Sequence, residues 1–314
     1  MSLDLTIPEN RKNIIRKIQQ LELFCIDQNS KQAFELLFQA WKKFSEPFWF
    51  LCYWNDYLKC GQLTLNAAQV HQNTEVEAQL LSELGWLYME WEEFAKSQDY
   101  LTQSLHLYQL SKDFKKECRL WRYLGVLSDR QKDFNQALNY YQQAINIVEQ
   151  QYNSEQFDQQ WGFQLAEIPN LMGITYLKLG QIHKSDEQLH LSLKQYQLLG
   201  EKWCYYQADP LLNLGELYFK KKDYTQAKAY YQDCLNLSQK ISRNDIMADV
   251  LIKMAELAEA EIDYEKAIQL ASEAERIAGI EIRVTRDRAA IYKEKLLSDR
   301  SKVARYFNNV QKKL

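Results

Sequence analysis

Leu214-Gly215-Glu216-Leu217-Tyr218 decides how this chain is read, because versions of it recur at an almost fixed interval. The other copies are Leu84-Gly85-Trp86-Leu87-Tyr88, Leu124-Gly125, Met172-Gly173-Ile174-Thr175-Tyr176 and Met254-Ala255. The interval is about 40 residues, stretched once, and self-similarity on that scale is the signature of a stacked-repeat solenoid. Around Gly125 the unit can be followed in full. Trp121, Leu124 and Leu127 fall at helical spacing, Lys132-Asp133-Phe134 interrupts, and Ala137, Leu138, Tyr141, Ala144 and Ile145 form a second helical stripe. Each copy therefore predicts two amphipathic helices joined by a tight turn.

A glycine inside a helix costs about 1 kcal/mol relative to alanine, so its return at one register needs a compensating gain. Close helix approach supplies one: without a Cβ, Gly85, Gly125, Gly173 and Gly215 let a partner ring lie against the backbone. Small residues answer from the second helix, seven apart on one face: Ala137 and Ala144, Ser185 and Ser192, Ala227 and Cys234, Ala267 and Ala274. Between them stand the expected knobs, Leu101, Tyr141, Leu189, Tyr231 and Ala271.

With these residues in place the chain resembles the tetratricopeptide repeat family. Gly-x-x-Tyr at Gly85 to Tyr88, Gly173 to Tyr176 and Gly215 to Tyr218 is that family's mark, and Ala137-Tyr141-Ala144 completes it in the second helix. Departures are Pro169 where Trp121 stands in the neighbouring copy, Ser for Ala at 97 and 185, Ala255 for Gly, and no closing proline. The interval of about 40 exceeds the family's usual 34 or so and is similar to the long arrays found in bacterial signalling proteins. The resemblance implies an all-α fold, a right-handed superhelical solenoid of antiparallel helix pairs with helical caps at both ends. Residues 1–77 would form an N-terminal cap and degenerate first repeat, 78–278 five repeats, and 279–314 basic C-terminal capping helices.

The ends differ from the middle. Residues 8–28 and 30–44 predict two helices, after which Pro47 interrupts and Phe48-Trp49-Phe50-Leu51-Cys52-Tyr53-Trp54 opens a third that runs past Leu65. That aromatic run has two readings, the seal of a terminal repeat or a docking surface for a partner. Glu149 to Gln160 is polar and aperiodic, a loop or polar extensions of the flanking helices. After Gly279 the chain holds ten Lys or Arg against four Asp or Glu, while the whole carries −3. Arg283, Arg286, Lys293, Arg300, Lys302, Arg305, Lys312 and Lys313 lie among Ile291, Leu296, Leu297, Val303 and Phe307, predicting a capping helix plus one more. Its charge is either a solvated cap face or a salt-dependent contact for nucleic acid or an acidic partner.

Composition fits a helical array, with 46% hydrophobic residues and only four prolines. Apolar stretches fall short of the roughly 20 residues of a membrane span, and the N-terminus lacks a signal-peptide layout, so the sequence predicts a cytoplasmic chain with no membrane partner. The six cysteines fall in helical pattern without CxxC spacing, which predicts core residues rather than a metal site or disulfide framework.

Catalysis is not signalled. The four histidines lack metal-ligand spacing, and P-loop, Rossmann, His-Glu-x-x-His and Gly-x-Ser-x-Gly patterns are missing from the sequence, so no enzyme and no cofactor is expected. Binding remains. Mapping the family's concave positions onto this chain gives Glu83 and Trp86, Arg119, Arg122 and Tyr123, Asn170, then Asn213, Glu216 and Phe219; Ser82, Met89, Asp129, Ile174, Leu177, Asp209, Asp249, Lys253 and Glu256 share the register. Arg119 and Arg122 sit on one helix face, where guanidinium forks hold a carboxylate or phosphate. Asn170 and Asn213 would bond an extended backbone, while Trp86, Tyr123 and Phe219 supply apolar pockets. The Lys and Asn set that would clamp a chaperone tail does not fall in the corresponding places. The competing reading packs Trp86 between repeats and uses Arg119, Arg122 and Asp129 to bridge neighbouring helices. The expected function is thus an adaptor binding a peptide or helix of a protein partner, as a sensor or regulatory subunit of a bacterial signalling or defence system. The alternative is a nucleic-acid-associated protein using the basic tail.

Overall fold

A computed structural model describes residues 4–152, 158–279 and 282–311, and the regular structure there is helical throughout. The helices are α1 (Pro8–Asp27), α2 (Lys31–Phe50), α3 (Trp54–Val70), α4 (Thr74–Glu90), α5 (Phe94–Ser111), α6 (Phe114–Arg130) and α7 (Phe134–Gln151). They continue as α8 (Gln159–Lys178), α9 (Ile182–Leu198), α10 (Cys204–Lys220), α11 (Tyr224–Lys240), α12 (Asn244–Ala260), α13 (Tyr264–Ala278) and α14 (Arg283–Gln311). The chain divides into two compact units, Met1–Gln150 and Gln151–Leu314.

One turn chemistry sets the interval. Lys222 adopts φ 61°, its N–H returns to the Phe219 carbonyl at 2.9 Å, and Asp223 N–H returns to the Tyr218 carbonyl at 3.0 Å. That closes the last turn of α10 in the left-handed manner of a helix C-terminus. Asp223 then accepts the Gln226 N–H and starts α11, as a side-chain cap does. The same pair of residues closes and opens helices at Gln72-Asn73, Lys112-Asp113, Lys132-Asp133 and Ile262-Asp263. Left-handed residues fall twenty apart, at Cys52, Gln72, Glu92, Lys112 and Lys132 in the first unit and at Lys222, Ser242 and Ile262 in the second. A helix and its turn therefore take twenty residues, and a pair takes the forty read from the sequence. At Gly180, φ 72°, the left-handed position is filled by the one residue that adopts it without strain.

The glycine argument is met in each unit. In the first, a Cβ on Gly125 would lie 2.3 Å from Tyr141 Cε1, and one on Gly85 would lie 2.9 Å from Leu101. In the second, Gly215 faces the Tyr231 ring at 2.3 Å and Gly173 faces Leu189 at 2.6 Å. Rings thus occupy two of the four sites and leucines the other two. The small residues of the second helices, Ala137, Ala144, Ser185, Ser192, Ala227, Cys234, Ala267 and Ala274, are all fully buried. Serine replaces alanine at no loss where its hydroxyl finds a carbonyl: Ser185 donates to Gly173 O at 2.8 Å.

Several expectations are corrected. Pro47 does not interrupt: α2 runs through it to Phe50, and the break falls at Leu51 to Tyr53, where Cys52 is left-handed. A proline one turn from a helix end forfeits a single backbone bond, and the full burial of Phe48 holds that turn in place. Cys25, Cys60, Cys118 and Cys234 are buried, whereas Cys204 is half-buried and Cys52 is exposed in the turn. The polar stretch after Glu149 extends its flanking helices to Gln151 and from Gln159; residues 153–157 lie outside the described residues. The tail forms one continuous α14 rather than two helices, since no glycine or proline falls between 283 and 311. Ala289 and Leu296 bury against α12 and α13. The side chains of Arg283, Val303, Arg305, Phe307, Lys312 and Lys313 lie outside those described.

Candidate functional site

In the first unit, one residue of α2, one of α3 and the inward faces of α4 and α6 enclose an open cleft of about 250 Å³. Its lining is Trp49 from α2, Tyr57 from α3, Ser82, Glu83 and Trp86 from α4, and Arg119 and Tyr123 from α6. The helical period explains the convergence: Ser82, Glu83 and Trp86, like Arg119 and Tyr123, are spaced to share one face. Trp86 and Tyr123 lie with ring centroids 4.6 Å apart, and Trp49 meets Tyr57 edge-on at 5.4 Å.

Glu83 forms the floor. Its Oε2 accepts the Trp41 indole N–H at 3.1 Å and the Tyr57 hydroxyl at 3.5 Å, and its Oε1 accepts the Gln79 amide at 2.7 Å. Burial raises the carboxyl above its ordinary range, against the downward pull of Gln79, Trp41, the Arg119 charge and Tyr57. Burial likewise pushes the Tyr57 phenol up, reinforced by the Glu83 carboxylate. Arg119 places its guanidinium 5.9 Å from the Tyr123 ring centroid, and that of Arg122 stands 5.3 Å away. The Arg119 Nε is buried and meets no hydrogen-bond acceptor among the described residues. A buried donor left so costs about 1–3 kcal/mol.

Of the sequence-predicted residues, Glu83, Trp86, Arg119 and Tyr123 are thus brought to one cleft, with Arg122 packed beside Tyr123. Trp49 and Tyr57 were not foreseen as its walls. Trp49 belongs to the aromatic run, whose members divide: Phe48 is fully buried, Trp49 lines the cleft, and Phe50 is 73% exposed. Tyr57 carried no signal beyond its place in an apolar stripe.

The predicted residues of the second unit are engaged within the protein. Asn213 Nδ2 donates to Asn170 Oδ1 at 2.9 Å, between α10 and α8. Lys253 stands 3.9 Å from Glu216 and 3.1 Å from Glu256, tying α12 to α10. Phe219 packs on Tyr224 with centroids 5.7 Å apart. Arg243, just 9% exposed, reaches Asp209 at 2.5 Å and Asp245 at 2.7 Å. Burial raises Asp209 against the pull of Arg243, while at Asp245 burial is outweighed by the Arg243 hydrogen bond and charge, which hold that carboxyl low. Asp249 receives Thr285 at 3.3 Å and the Arg288 guanidinium of α14.

The tetratricopeptide repeat profile matches residues 164–240 and 206–279, the stretch that forms α8 to α13. Residues 164–279 are therefore tetratricopeptide repeats. Among solved structures, aspartyl phosphate phosphatase F from Bacillus subtilis is similar over 96% of this chain and 84% of its own, with TM-score 0.66 and 13% identity. A signal transduction ATPase with a tetratricopeptide repeat sensor from Pyrococcus horikoshii is similar over 94% of this chain and 45% of its own, with TM-score 0.60 and 15% identity. NprR in complex with its cognate peptide NprX is similar over 99% of this chain and 79% of its own, with TM-score 0.59 and 15% identity. At such identities the likeness is one of fold. No curated protein matches the sequence. No described helix of this repeat protein is long and apolar enough to cross a membrane.

Proposed function

We propose that this chain is a non-catalytic adaptor that captures a peptide or helical segment of a protein partner, with the cleft between α4 and α6 as the anchoring point. The observation that carries the reading is that Arg119 lines one cleft with Trp49, Trp86 and Tyr123 and makes no hydrogen bond or ion pair among the described residues. An aromatic recess with an arginine is the composition of an interaction hot spot. On this reading the chain is a cytoplasmic sensor or regulatory subunit of a bacterial signalling or defence system, and the peptide complex of NprR and the repeat sensor of the Pyrococcus signal transduction ATPase, folds similar to this one, support the sensor part of it.

The nucleic-acid alternative draws less support. Most described cations of α14 face carboxylates, Arg286 with Asp287, Arg288 with Asp249, Lys293 with Glu275, Lys295 with Glu259 and Lys302 with Asp299. The pairs to Asp249, Glu259 and Glu275 tie α14 to α12 and α13, which favours helix packing over a surface awaiting phosphates.

The test is affinity capture by the intact chain and by a Trp86→Ala, Arg119→Ala variant, with nuclease treatment and identification by mass spectrometry. A protein retained by the intact chain and lost with the variant supports the reading. Equal retention by both, or recovery of nuclease-sensitive material alone, overturns it.

A further inference from the structure

The unmet bonding in this cleft specifies what it takes, and the inference rests on the adaptor reading above. Two opposite ligands suit an aromatic recess that holds both a carboxylate and an arginine. A cation would stack on the rings and pair with Glu83. An anion would pair with Arg119 while an apolar group covers the rings. Glu83 already receives the Trp41 indole, the Tyr57 hydroxyl and the Gln79 amide, and burial favours its protonated form, so it has little to offer a cation. Arg119 is in the reverse position: a permanent cation that lines the cleft and whose guanidinium makes no hydrogen bond or ion pair among the described residues. What the site lacks is an acceptor.

Size and shape narrow the ligand further. A volume of about 250 Å³ falls below the 300–1,000 Å³ or so of pockets that enclose whole small molecules, and the cleft is open to solvent. It fits one side chain of a longer chain that continues outside. Its walls include the aromatic rings of Trp49, Trp86 and Tyr123, and rings pair favourably with another ring, stacked or edge-on.

We propose that the α4–α6 cleft recognises an aromatic residue adjoining a carboxylate on a polypeptide partner. The ring enters between Trp49 and the Trp86–Tyr123 pair, and the carboxylate accepts from the Arg119 guanidinium. The carboxylate is either the partner's own C-terminus or a neighbouring acidic side chain.

Three probes separate these sources: N-acetyl-phenylalanine, N-acetyl-phenylalanine amide, and N-acetyl-aspartyl-phenylalanine amide. Binding to the full chain labelled with 5-fluorotryptophan is read by 19F NMR, with the Trp49 and Trp86 signals assigned by Trp→Phe variants. The first or third probe, or both, is expected to shift those two signals with an affinity at least about tenfold above the amide. Arg119→Gln should erase the difference. Arg119→Lys, which keeps the charge but has no Nε, should give an intermediate ratio and serves if the glutamine variant folds poorly. Preference for the free acid assigns a C-terminal source, and preference for the aspartyl amide an internal one. Equal binding of acid and amide overturns the carboxylate while leaving the adaptor reading standing, because capture by the cleft would continue without it. Absence of binding by all three, or shifts confined to other tryptophans, overturns the inference outright, and the capture experiment then decides the adaptor reading separately.

Discussion

The inward faces of the first helices occupy the same register in both units and are used in opposite ways. In the second unit polar side chains at these positions reach across to the next repeat, Asn213 to Asn170 and Lys253 to Glu216, and Asp209 is met by Arg243 at the start of α12, so that they are satisfied within the protein. In the first, Trp86 and Tyr123 fill the space between α4 and α6, Glu83 takes its donors from Trp41, Tyr57 and Gln79, and Arg119 keeps a donor unused. Register decides which way a residue faces. Whether it has anything left for a ligand depends on the length and bulk of its neighbours one repeat away.

That contrast requires the two units to share a frame, and the largest effects test this. Gly125→Ala and Gly215→Ala each drive a methyl into a tyrosine ring 2.3 Å away. Each should destabilise by about 3 kcal/mol, the upper end for overpacking, in chemical denaturation. If one unit accepts its alanine freely, the glycine-on-ring device is not common to both and the comparison loses its basis.

The two arginines come next. Arg243→Ala leaves Asp209 and Asp245 facing each other without their cation. Because both carboxylates retain some exposure, the loss should be about 2 kcal/mol, below the 3–5 or so of a fully buried pair. Arg119→Gln removes an unmet buried donor together with the charge that pulls on Glu83, two opposing effects, and should leave stability unchanged or raise it by up to about 1 kcal/mol. Equal costs at the two sites would mean that Arg119 is as structural as Arg243.

Asn213→Ala strands the buried Asn170 amide and should cost about 1 kcal/mol without affecting partner capture. Trp86→Ala should do the converse for capture, abolishing it. Loss of capture with Asn213→Ala would return the second unit to the binding surface.

The architecture was legible because its determinants are local. Gly125 and Tyr141 lie 16 positions apart in sequence and touch, and Lys222-Asp223 both ends one helix and begins the next. The candidate site was legible only by halves. Glu83, Trp86, Arg119 and Tyr123 follow from register, but Trp49 and Tyr57 belong to helices outside the clear repeats, with no Gly-x-x-Tyr to fix their facing. The pairing of Asn213 with Asn170 was hidden for another reason: from sequence, an asparagine facing a groove reads the same whether its partner is a peptide or its neighbour. Pro47 misled because a helix breaker was weighed without the burial of Phe48 that outweighs it.

The smallest effect is one of sign. Burial raises the folded-state Glu83 carboxyl, so the native chain holds this proton to higher pH than the unfolded chain does. Below the unfolded value, about 4.3, both states are protonated and Glu83 contributes no pH dependence. As pH climbs from there through the raised folded value, the unfolded state loses its proton first and stability declines. Glu83→Gln removes this titration, so its stability relative to the parent should rise over the same interval and then level. Asp245, held low by Arg243 against its burial, contributes in the opposite direction, with stability present above about 3.9 and lost as pH falls through its folded value. Urea titrations from about pH 2.5 to about pH 7 on the parent, Glu83→Gln and Asp245→Asn separate the two. Parallel curves for the parent and Glu83→Gln would mean that Arg119 fully stabilises the ionised carboxylate. The arginine would then be spent on Glu83, and the difference between the units would close.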